Sequence, residues 1–459
     1  MASRALSVGE VIDRQPLGAV QIWTIVLCAI VLTMDGYHAV SMGFVTAPVA
    51  AATHIPVASF GPILSISLIG LMIAALGTGP IADRVGRKWL VIGSEIAFGL
   101  FSILNGRAHT YDEFLVYRFL TGLGLGGAMP NVVALASEYS PRRLLPAVVS
   151  ILFVGMPLGG TLCGVVAREV IGTYGWQWVF YIGGAVPLAI AILLIVFLPE
   201  SAPFLAARKK DPQRIAKLLR RIAPGADLSQ VDFSKTSDET ARKGVPVKHL
   251  FTEGRAFGTI LLWIPNFMNL LLIYFVNSWM PTLLKEAGMT TSQGVIVTSA
   301  FNFGGIFACF LEGPLIEFGG SFLMLLIEFL LTGGAMVGIA LLTRSFVLAI
   351  VVAAVSGFLI VGTQAGLNAL AAKFYPTPIR STGVGWALGV GRIGSIVGPM
   401  LGGMMLGAGW KPREIIISAA VCGLLGCLAI VASKFSRGVT TPYDDDSQLS
   451  APNAVHVAH

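Results

Sequence analysis

Apolar residues fall into twelve runs separated by short polar breaks: 20–45, 58–80, 89–107, 113–138, 146–167, 177–198, 257–282, 293–314, 321–342, 346–372, 381–407 and 414–433. Each is long enough to cross a hydrocarbon layer about 30 Å thick as a helix, which takes about 20 residues. The pattern therefore predicts an all-α membrane protein of twelve transmembrane helices. The long polar stretch 199–256 separates an N-terminal six-helix half (20–198) from a C-terminal one (257–433). Residues 1–19 and 434–459 are polar tails; 1–19, with Arg4, Glu10, Asp13 and Arg14, lacks the apolar core of a cleavable signal. Within the linker, apolar spacing around Pro212–Ile222 suggests a short surface helix lying on anionic lipid.

The two halves read as repeats. The second run ends in Gly79-Pro-Ile-Ala-Asp-Arg-Val-Gly86 and the eighth in Gly313-Pro-Leu-Ile-Glu-Phe-Gly-Gly320. The fourth leads into Glu138-Tyr-Ser-Pro-Arg-Arg143 and the tenth into Lys373-Phe-Tyr-Pro-Thr-Pro-Ile-Arg380. Both are followed by Gly-rich runs, with Pro157-Leu-Gly-Gly160 and Pro399-Met-Leu-Gly-Gly403. Repeated halves are transporter architecture, with the substrate expected near the midplane between them.

Composition agrees: 55% of the 459 residues are hydrophobic and 12% charged. The net charge of +7 does not signal nucleic acid, because the basic residues sit in the breaks between runs. Alternate breaks, counted from the N-terminus, hold 23 of the 31 Lys and Arg and the other breaks hold 6; without the long linker the short breaks still give 11 against 6. This bias puts both termini in the cytoplasm. Cys28, Cys163, Cys309, Cys422 and Cys427 all lie in apolar runs, so no disulfide framework is expected. Gly122-Leu-Gly-Leu-Gly-Gly127 lies inside an apolar run with no preceding strand, which makes it a helix-packing face and not a dinucleotide loop. The chain has no Gly-x-x-x-x-Gly-Lys-Ser/Thr loop, so ATP is not the expected energy source. No cofactor and no metal-ligand cluster is expected. The acidic run Asp444-Asp-Asp446 is read as a solvated tail.

Several stretches carry a family resemblance. Gly79–Lys88 resembles the loop signature Gly-x-x-x-Asp-Arg-x-Gly-Arg-Lys of the major facilitator superfamily, and Arg118–Asn131 resembles that superfamily's fourth helix. Pro199-Glu-Ser-Ala-Pro-Phe-Leu205 is similar to its segment after helix six. Within the superfamily, Met34-Asp-Gly-Tyr-His38, Ser137-Glu-Tyr-Ser-Pro141 and Gly389-Val-Gly-Arg-Ile-Gly394 look like the aromatic acid:proton symporters, the benzoate, hydroxybenzoate and protocatechuate type. The resemblance covers about residues 20–433. It implies the major facilitator fold, two pseudo-symmetric six-helix halves that rock about a central site. It also implies proton-coupled import of an aromatic carboxylate across a bacterial inner membrane. Helix one of that family usually carries Asp-Gly-Phe-Asp; here His38 replaces the second Asp.

Ionisable residues inside a span are costly and are read by default as functional or paired. Asp35, Glu95, Glu138, Glu312, Glu328, Arg118 and Arg392 qualify. At about 1.5 Å per residue, Asp35 and Arg118 both lie about 20 Å from the inner face. They are expected to pair, directly or through substrate or His38, and with His38 to form the proton-coupling set. His38 is three residues after Asp35 on the same helical face and can relay a proton or bond an oxygen. Arg392 is about 18 Å from the inside and fits a substrate carboxylate bidentately. Tyr37 and Trp386, with Tyr274, Trp279, Phe301 and Phe303, are candidate ring contacts. Asn302, Gln364 and Asn368 are the best-placed polar groups for ring hydroxyls, ahead of Asn266, Asn269 and Asn277. Gly79, Asp83, Arg84, Arg87, Glu138, Arg142 and Arg380 form the expected inner gate, with Glu138 helping to hold the outward-open state. Glu328 is expected to be peripheral.

The resulting expectation is a transporter, not an enzyme: a monomeric proton symporter of a small aromatic acid serving aromatic catabolism. A proton-antiport exporter of organic anions or drugs is the alternative, because Gly155-Met-Pro-Leu-Gly-Gly160 partly resembles the antiporter signature. A sensor that no longer transports is a third reading.

Overall fold

The computed structural model describes residues 11–13, 16–207, 220, 247–252, 254–342 and 345–434. Twelve helices among them are long and apolar enough to cross a membrane, one in each expected run. They are α1 Ala19–Thr53, α2 Phe60–Val85, α3 Arg87–Asn105, α4 Tyr111–Glu138, α5 Leu145–Ile171 and α6 Gln177–Phe197 in the first half. The second half holds α7 Ala256–Glu286, α8 Thr291–Gly319, α9 Ser321–Leu341, α10 Phe346–Phe374, α11 Arg380–Gly407 and α12, which runs as Pro412–Ser418 and then Ala420–Ser433. The suggested helix around Pro212–Ile222 and the acidic tail lie outside the described residues, Arg220 apart.

Helix ends extend several residues beyond the apolar runs, α1 to Thr53 and α7 to Glu286, because polar residues continue a helix once it leaves the hydrocarbon. Two starts carry capping boxes. Thr110 accepts from the Glu113 N–H at 3.3 Å while the Glu113 carboxylate accepts from the Thr110 N–H at 3.1 Å. Thr290 and Gln293 repeat the exchange at the start of α8, at 3.2 and 2.9 Å. Proline inside α1, α2, α4–α8 and α11 is tolerated where neighbouring helices reshape the backbone locally.

The halves use one packing scheme twice. In the first, α1 lies along α5, α2 along α4, and α3 on α4 and α6; in the second, α7 lies along α11, α8 along α10, and α9 on α10 and α12. Between halves, α2 meets α11, α5 meets α8 and α1 meets α7. These contacts cluster away from the face carrying Ala19 and Ser433. Ser65 Oγ donates to the Ile396 carbonyl at 2.7 Å. A Cβ on Gly61 would lie 3.3 Å from the Met400 carbonyl oxygen, and one on Gly403 2.7 Å from that of Ala58. Toward the Ala19/Ser433 face, a Cβ on Gly79 of α2, on Gly313 of α8 or on Gly385 or Gly389 of α11 meets nothing within 4 Å. The closest contacts between the halves thus lie toward the end away from Ala19 and Ser433.

Glycine sets the closest crossings. On α1 and α5, a Cβ on Gly36 would strike the Met156 carbonyl, and one on Gly159 would strike the Thr33 carbonyl and lie 2.6 Å from the Tyr37 nitrogen. Backbone cannot yield as a flexible side chain can. Gly159→Ala is therefore expected to cost about 1–3 kcal/mol, the usual scale of overpacking. Gly334→Ala, which meets nothing within 4 Å, is expected to leave stability unchanged. The apparent melting temperatures of the two variants in detergent, read by fluorescence size-exclusion, check the contrast.

Candidate functional site

A narrow cavity lies where the two halves meet, just inside the Ser65–Ile396 contact. From the first half it is lined by Asp35 and His38 of α1, Ser67 of α2 and Met129 of α4; from the second by Tyr274 of α7 and Arg392 of α11. Leu68, Leu71, Leu125 and Met156 complete its apolar wall. Charged and polar groups thus converge on a space otherwise shaped by leucine and methionine, the usual make-up of a small-molecule site.

Arg392 bridges the halves. Its Nη1 lies 3.4 Å from the Tyr274 hydroxyl in its own half and its Nη2 lies 3.6 Å from Met129 Sδ in the other. Neither contact is a carboxylate, so the guanidinium fork is not consumed by a protein anion. The Arg392 field reaches Asp35, and both side chains face the cavity, yet they form no ion pair. Asp35 is buried and its Oδ1 meets no donor among the described residues.

The expected direct pair between Asp35 and Arg118 is not formed. Arg118 is buried; its Nη2 donates to Ser67 Oγ at 3.2 Å and its Nε meets no acceptor among the described residues. The two residues share a depth but point to different neighbours: α4 packs along α2, which turns the guanidinium toward Ser67. The positive charge of Arg118 acts instead on His38.

His38 is buried with a fixed orientation. Its Nε2 lies 2.7 Å from the Gly183 carbonyl oxygen, and its ring meets Phe98 edge-on with centroids 4.1 Å apart. A carbonyl can only accept, so Nε2 carries the proton. Nδ1 is left as a buried acceptor without a partner among the described residues. Sequence reasoning placed His38 beside Asp35 but had no signal for this tautomer, which a glycine on α6 imposes.

Other candidates are placed differently. Tyr37 does not line the cavity: it is buried and its hydroxyl donates to the Val179 carbonyl at 2.9 Å. Trp386 is 45% exposed and stacks on Trp263 with centroids 6.1 Å apart, away from the cavity lining. Asn302 donates to Asn277 Oδ1 at 2.8 Å and its side-chain oxygen closes on Gly160, so it joins α7 and α8 to α5. Gln364 accepts from Asn269 at 3.1 Å and donates toward Asn266 at 3.2 Å and Asn368 at 3.4 Å. These four amides form one network between α7 and α10, beside the cavity and not on its wall. Of the aromatic candidates, Tyr274 alone lines it; Trp279 donates to the Pro399 carbonyl at 2.8 Å, Phe301 is fully buried and Phe303 is half-exposed. Ser67 and the methionines 129 and 156 had no sequence signal, since such residues in an apolar run are indistinguishable from packing.

At the Ala19/Ser433 face, Arg87 and Glu138 form an ion pair between α3 and α4. The pair is made between two helices of one half, so it does not itself join the halves. Arg142 bonds Asp13 through its N–H at 2.7 Å and its guanidinium at 3.4 Å. Arg380 bonds the Tyr375 carbonyl at 3.3 Å and Thr377 at 3.2 Å. Arg84 and Asp83 lie at the exposed end of α2, and Gly79 faces open space. Glu200 is an unforeseen member: it accepts from the Lys88 N–H at 3.1 Å and fills the space a Cβ on Gly86 would need, and its carbonyl accepts from Tyr139 at 2.6 Å. The Pro199-Glu-Ser segment thus ties the end of α6 to the α2–α3 turn. Gly86 makes that turn at φ +100°, a conformation that favours glycine.

The family model described as Major Facilitator Superfamily matches residues 25–387. The chain is 35% identical to the 4-hydroxybenzoate transporter PcaK of Pseudomonas putida over 93% of this chain and 96% of that protein. It is 36% identical to a gallate transporter of Pseudomonas putida over 95% and 97%. A crystal structure of a bacterial homologue of the human lysosomal transporter Spinster superposes with a TM-score of 0.72 at 15% identity, over 91% of this chain and 97% of that one, a likeness of fold. With the signature loop, the twelve spans in two repeated halves and these relatives together, the chain belongs to the major facilitator superfamily and, within it, to the family of these aromatic-acid transporters.

Proposed function

We propose that the protein imports an aromatic carboxylate together with protons, by alternating access across a bacterial inner membrane, with both termini in the cytoplasm. The observation that carries this reading is the convergence of Asp35, His38 and Arg392 on one cavity between the halves. The relatives' substrates, 4-hydroxybenzoate and gallate, share the two features such a site would read: a carboxylate and a ring bearing hydroxyls. The excess of Lys and Arg on the Ala19/Ser433 side supports the orientation, which places that end inward.

In this reading Arg392 takes the carboxylate through its uncommitted fork. The leucine and methionine wall holds the ring, with sulfur against its edge. His38 Nδ1, held as an acceptor by the Gly183 carbonyl, receives a ring hydroxyl. Asp35 carries the proton. Substrate charge on Arg392 removes the cation whose field acts on Asp35, so a carboxylate bound there favours a protonated Asp35. That exchange couples the two cargoes. Arg118 is kept as the second buried cation of the set, acting through His38. Gln364, Asn368, Asn302 and Trp386 are carried as supports of the second-half wall and its approach. Asp83, Arg84, Arg87, Glu138, Arg142 and Arg380, with Gly79, serve the cytoplasmic gate when it closes.

Three outcomes are expected in proteoliposomes. Arg392→Lys, which keeps the charge and loses the fork, weakens uptake of every aromatic acid by about tenfold or more, on the scale of a charge-assisted hydrogen bond; undiminished uptake would remove Arg392 from the clamp. His38→Ala reduces uptake of 4-hydroxybenzoate by about five- to tenfold against benzoate, the worth of one buried hydrogen bond at roughly 1 kcal/mol or slightly more, and an equal loss for both acids contradicts the hydroxyl contact. Asp35→Asn abolishes accumulation driven by an inward proton gradient while preserving exchange of labelled for unlabelled substrate; retained gradient-driven accumulation would locate the proton elsewhere.

A further inference from the structure

Two acidic residues that the cavity does not use lie together in the second half. Glu312 of α8 and Glu328 of α9 are buried, at 1% and 5% exposure, so Glu328 is not the peripheral residue that its helix suggested. Their carboxyl oxygens come together over a bare patch of α10. A Cβ on Gly362 would lie 2.7 Å from Glu312 Oε2 and 3.1 Å from Glu328 Oε1, and one on Gly366 would lie 3.3 Å from Glu312 Oε1. Neither oxygen of Glu312 meets a donor among the described residues. Thr363 Oγ1 lies 3.1 Å from Glu328 Oε2 and 2.7 Å from the Leu359 carbonyl oxygen, and its single hydroxyl proton cannot serve both.

The first half shows what this position looks like without acids. There a Cβ on Gly127 of α4 would meet the Ser94 hydroxyl of α3 and lie 3.4 Å from Thr78 Cγ2 of α2. Thr78, Ser94 and Gly127 stand 234 or 235 residues before Glu312, Glu328 and Gly362, on the equivalent helices of the repeat. Two small hydroxyl residues therefore fill the same packing position. The fold does not require carboxyls there.

Among the described residues no basic side chain forms an ion pair with either carboxyl. The other titratable groups of the helices around it are Cys309 and exposed Glu317 on α8, Lys373 on α10, and exposed Arg413 and Glu414 with Cys422 and Cys427 on α12. Lys373 is ten residues beyond Thr363 and its Nζ lies 3.3 Å from Ser321 Oγ. Two carboxylates this close in a low-dielectric interior repel too strongly for both to stay ionised, and one proton between them removes the conflict. That proton also supplies the donor missing from the cluster. We propose that Glu312 and Glu328 form a proton-binding site, separate from the central cavity, that holds one proton between two carboxyls and joins α8 and α9 over α10 in the state described here.

The test uses the purified full-length chain in detergent and needs no transport, so its failure is distinct from failure of the symport reading. Infrared difference spectra at neutral pH are expected to show one protonated carboxyl fewer per chain in Glu312→Gln and in Glu328→Gln than in the parent. The double variant Glu312→Thr with Glu328→Ser, which copies the first half, should lose the same band and provides a second route should either glutamine variant fail to fold. A shared proton is released when the chain unfolds at neutral or higher pH, where free carboxyls are ionised, so the parent's apparent melting temperature should fall as pH rises. In the double variant that fall should be shallower by one proton. Identical infrared spectra in parent and variants would overturn the proposal. So would a rise in the parent's melting temperature with sodium at constant pH that the double variant lacks, since the pair would then hold a metal cation and not a proton.

Discussion

An ion inside an apolar slab must be matched by an opposite charge, a proton or a polar substrate, and the arrangement of this protein follows from how each buried ion meets that demand. At the water-facing edge the match is direct: Arg87 and Glu138 pair across α3 and α4. At the centre it is withheld. Asp35 and Arg392 face one cavity without forming an ion pair, and Arg118 spends one nitrogen on a serine hydroxyl. Such charges are unsatisfied by one another yet close enough to respond to one another. A tight buried pair would be inert, because removing either partner strands the other. Separated charges of opposite sign around a cavity leave room for a carboxylate and a proton to complete the set in turn.

The position of the cavity relative to the contact between the halves gives this chemistry a mechanical consequence. Ser65 and Ile396 close α2 on α11; Ser67, two residues further along α2, and Arg392, one turn earlier on α11, line the cavity. The site lies directly inside the contact between the halves. A small rotation about that region changes which side the cavity opens to while moving its own residues little, as alternating access about a fixed midplane site requires. Glycines make the pivot close: Gly61 and Gly403 at that contact, and Gly36 and Gly159 where α1 crosses α5, bring backbone against backbone. His38 depends on the same economy of volume, because its Nε2 reaches the α6 carbonyl at Gly183, where a Cβ would lie 3.0 Å from that nitrogen.

What the sequence could reveal was depth; what it could not reveal was azimuth. Hydropathy located all twelve helices because burial in lipid is a one-dimensional constraint along the chain. The rise of a helix then set Asp35, Arg118 and Arg392 at one level, and they are indeed grouped near the centre. Which way each side chain turns depends on crossings of non-adjacent helices, and nearly all-apolar spans leave little periodic signal to read it from. Arg118 therefore meets Ser67 and not Asp35, Tyr37 bonds the α6 backbone while its neighbour His38 lines the cavity, and Glu328 is buried against α10 on a helix that looked peripheral. Capping boxes at Thr110 and Thr290 join residues three apart, whereas the reach of Glu200 to the α2–α3 turn spans more than a hundred residues.

The repeat separates what holds the fold from what performs its chemistry. Helix pairs of the two halves correspond one for one, and glycine faces recur at corresponding places, as Gly127 and Gly362 show. Polar side chains do not recur. The first half buries Asp35, Glu95 and Arg118 among α1, α3 and α4, while the second buries Glu312 and Glu328 on α8 and α9 and carries the amide network of Asn266, Asn269, Gln364 and Asn368. If ionic or amide contacts supplied the cohesion, the halves could not keep one packing scheme with such different sets. Cohesion must reside in the close, small-residue crossings, which are the dominant means of helix association where lipid is as apolar as the side chains it replaces. The polar positions are thereby released from structural duty, and each half can be assigned charge, proton or hydrogen-bond tasks without rebuilding the frame that moves them.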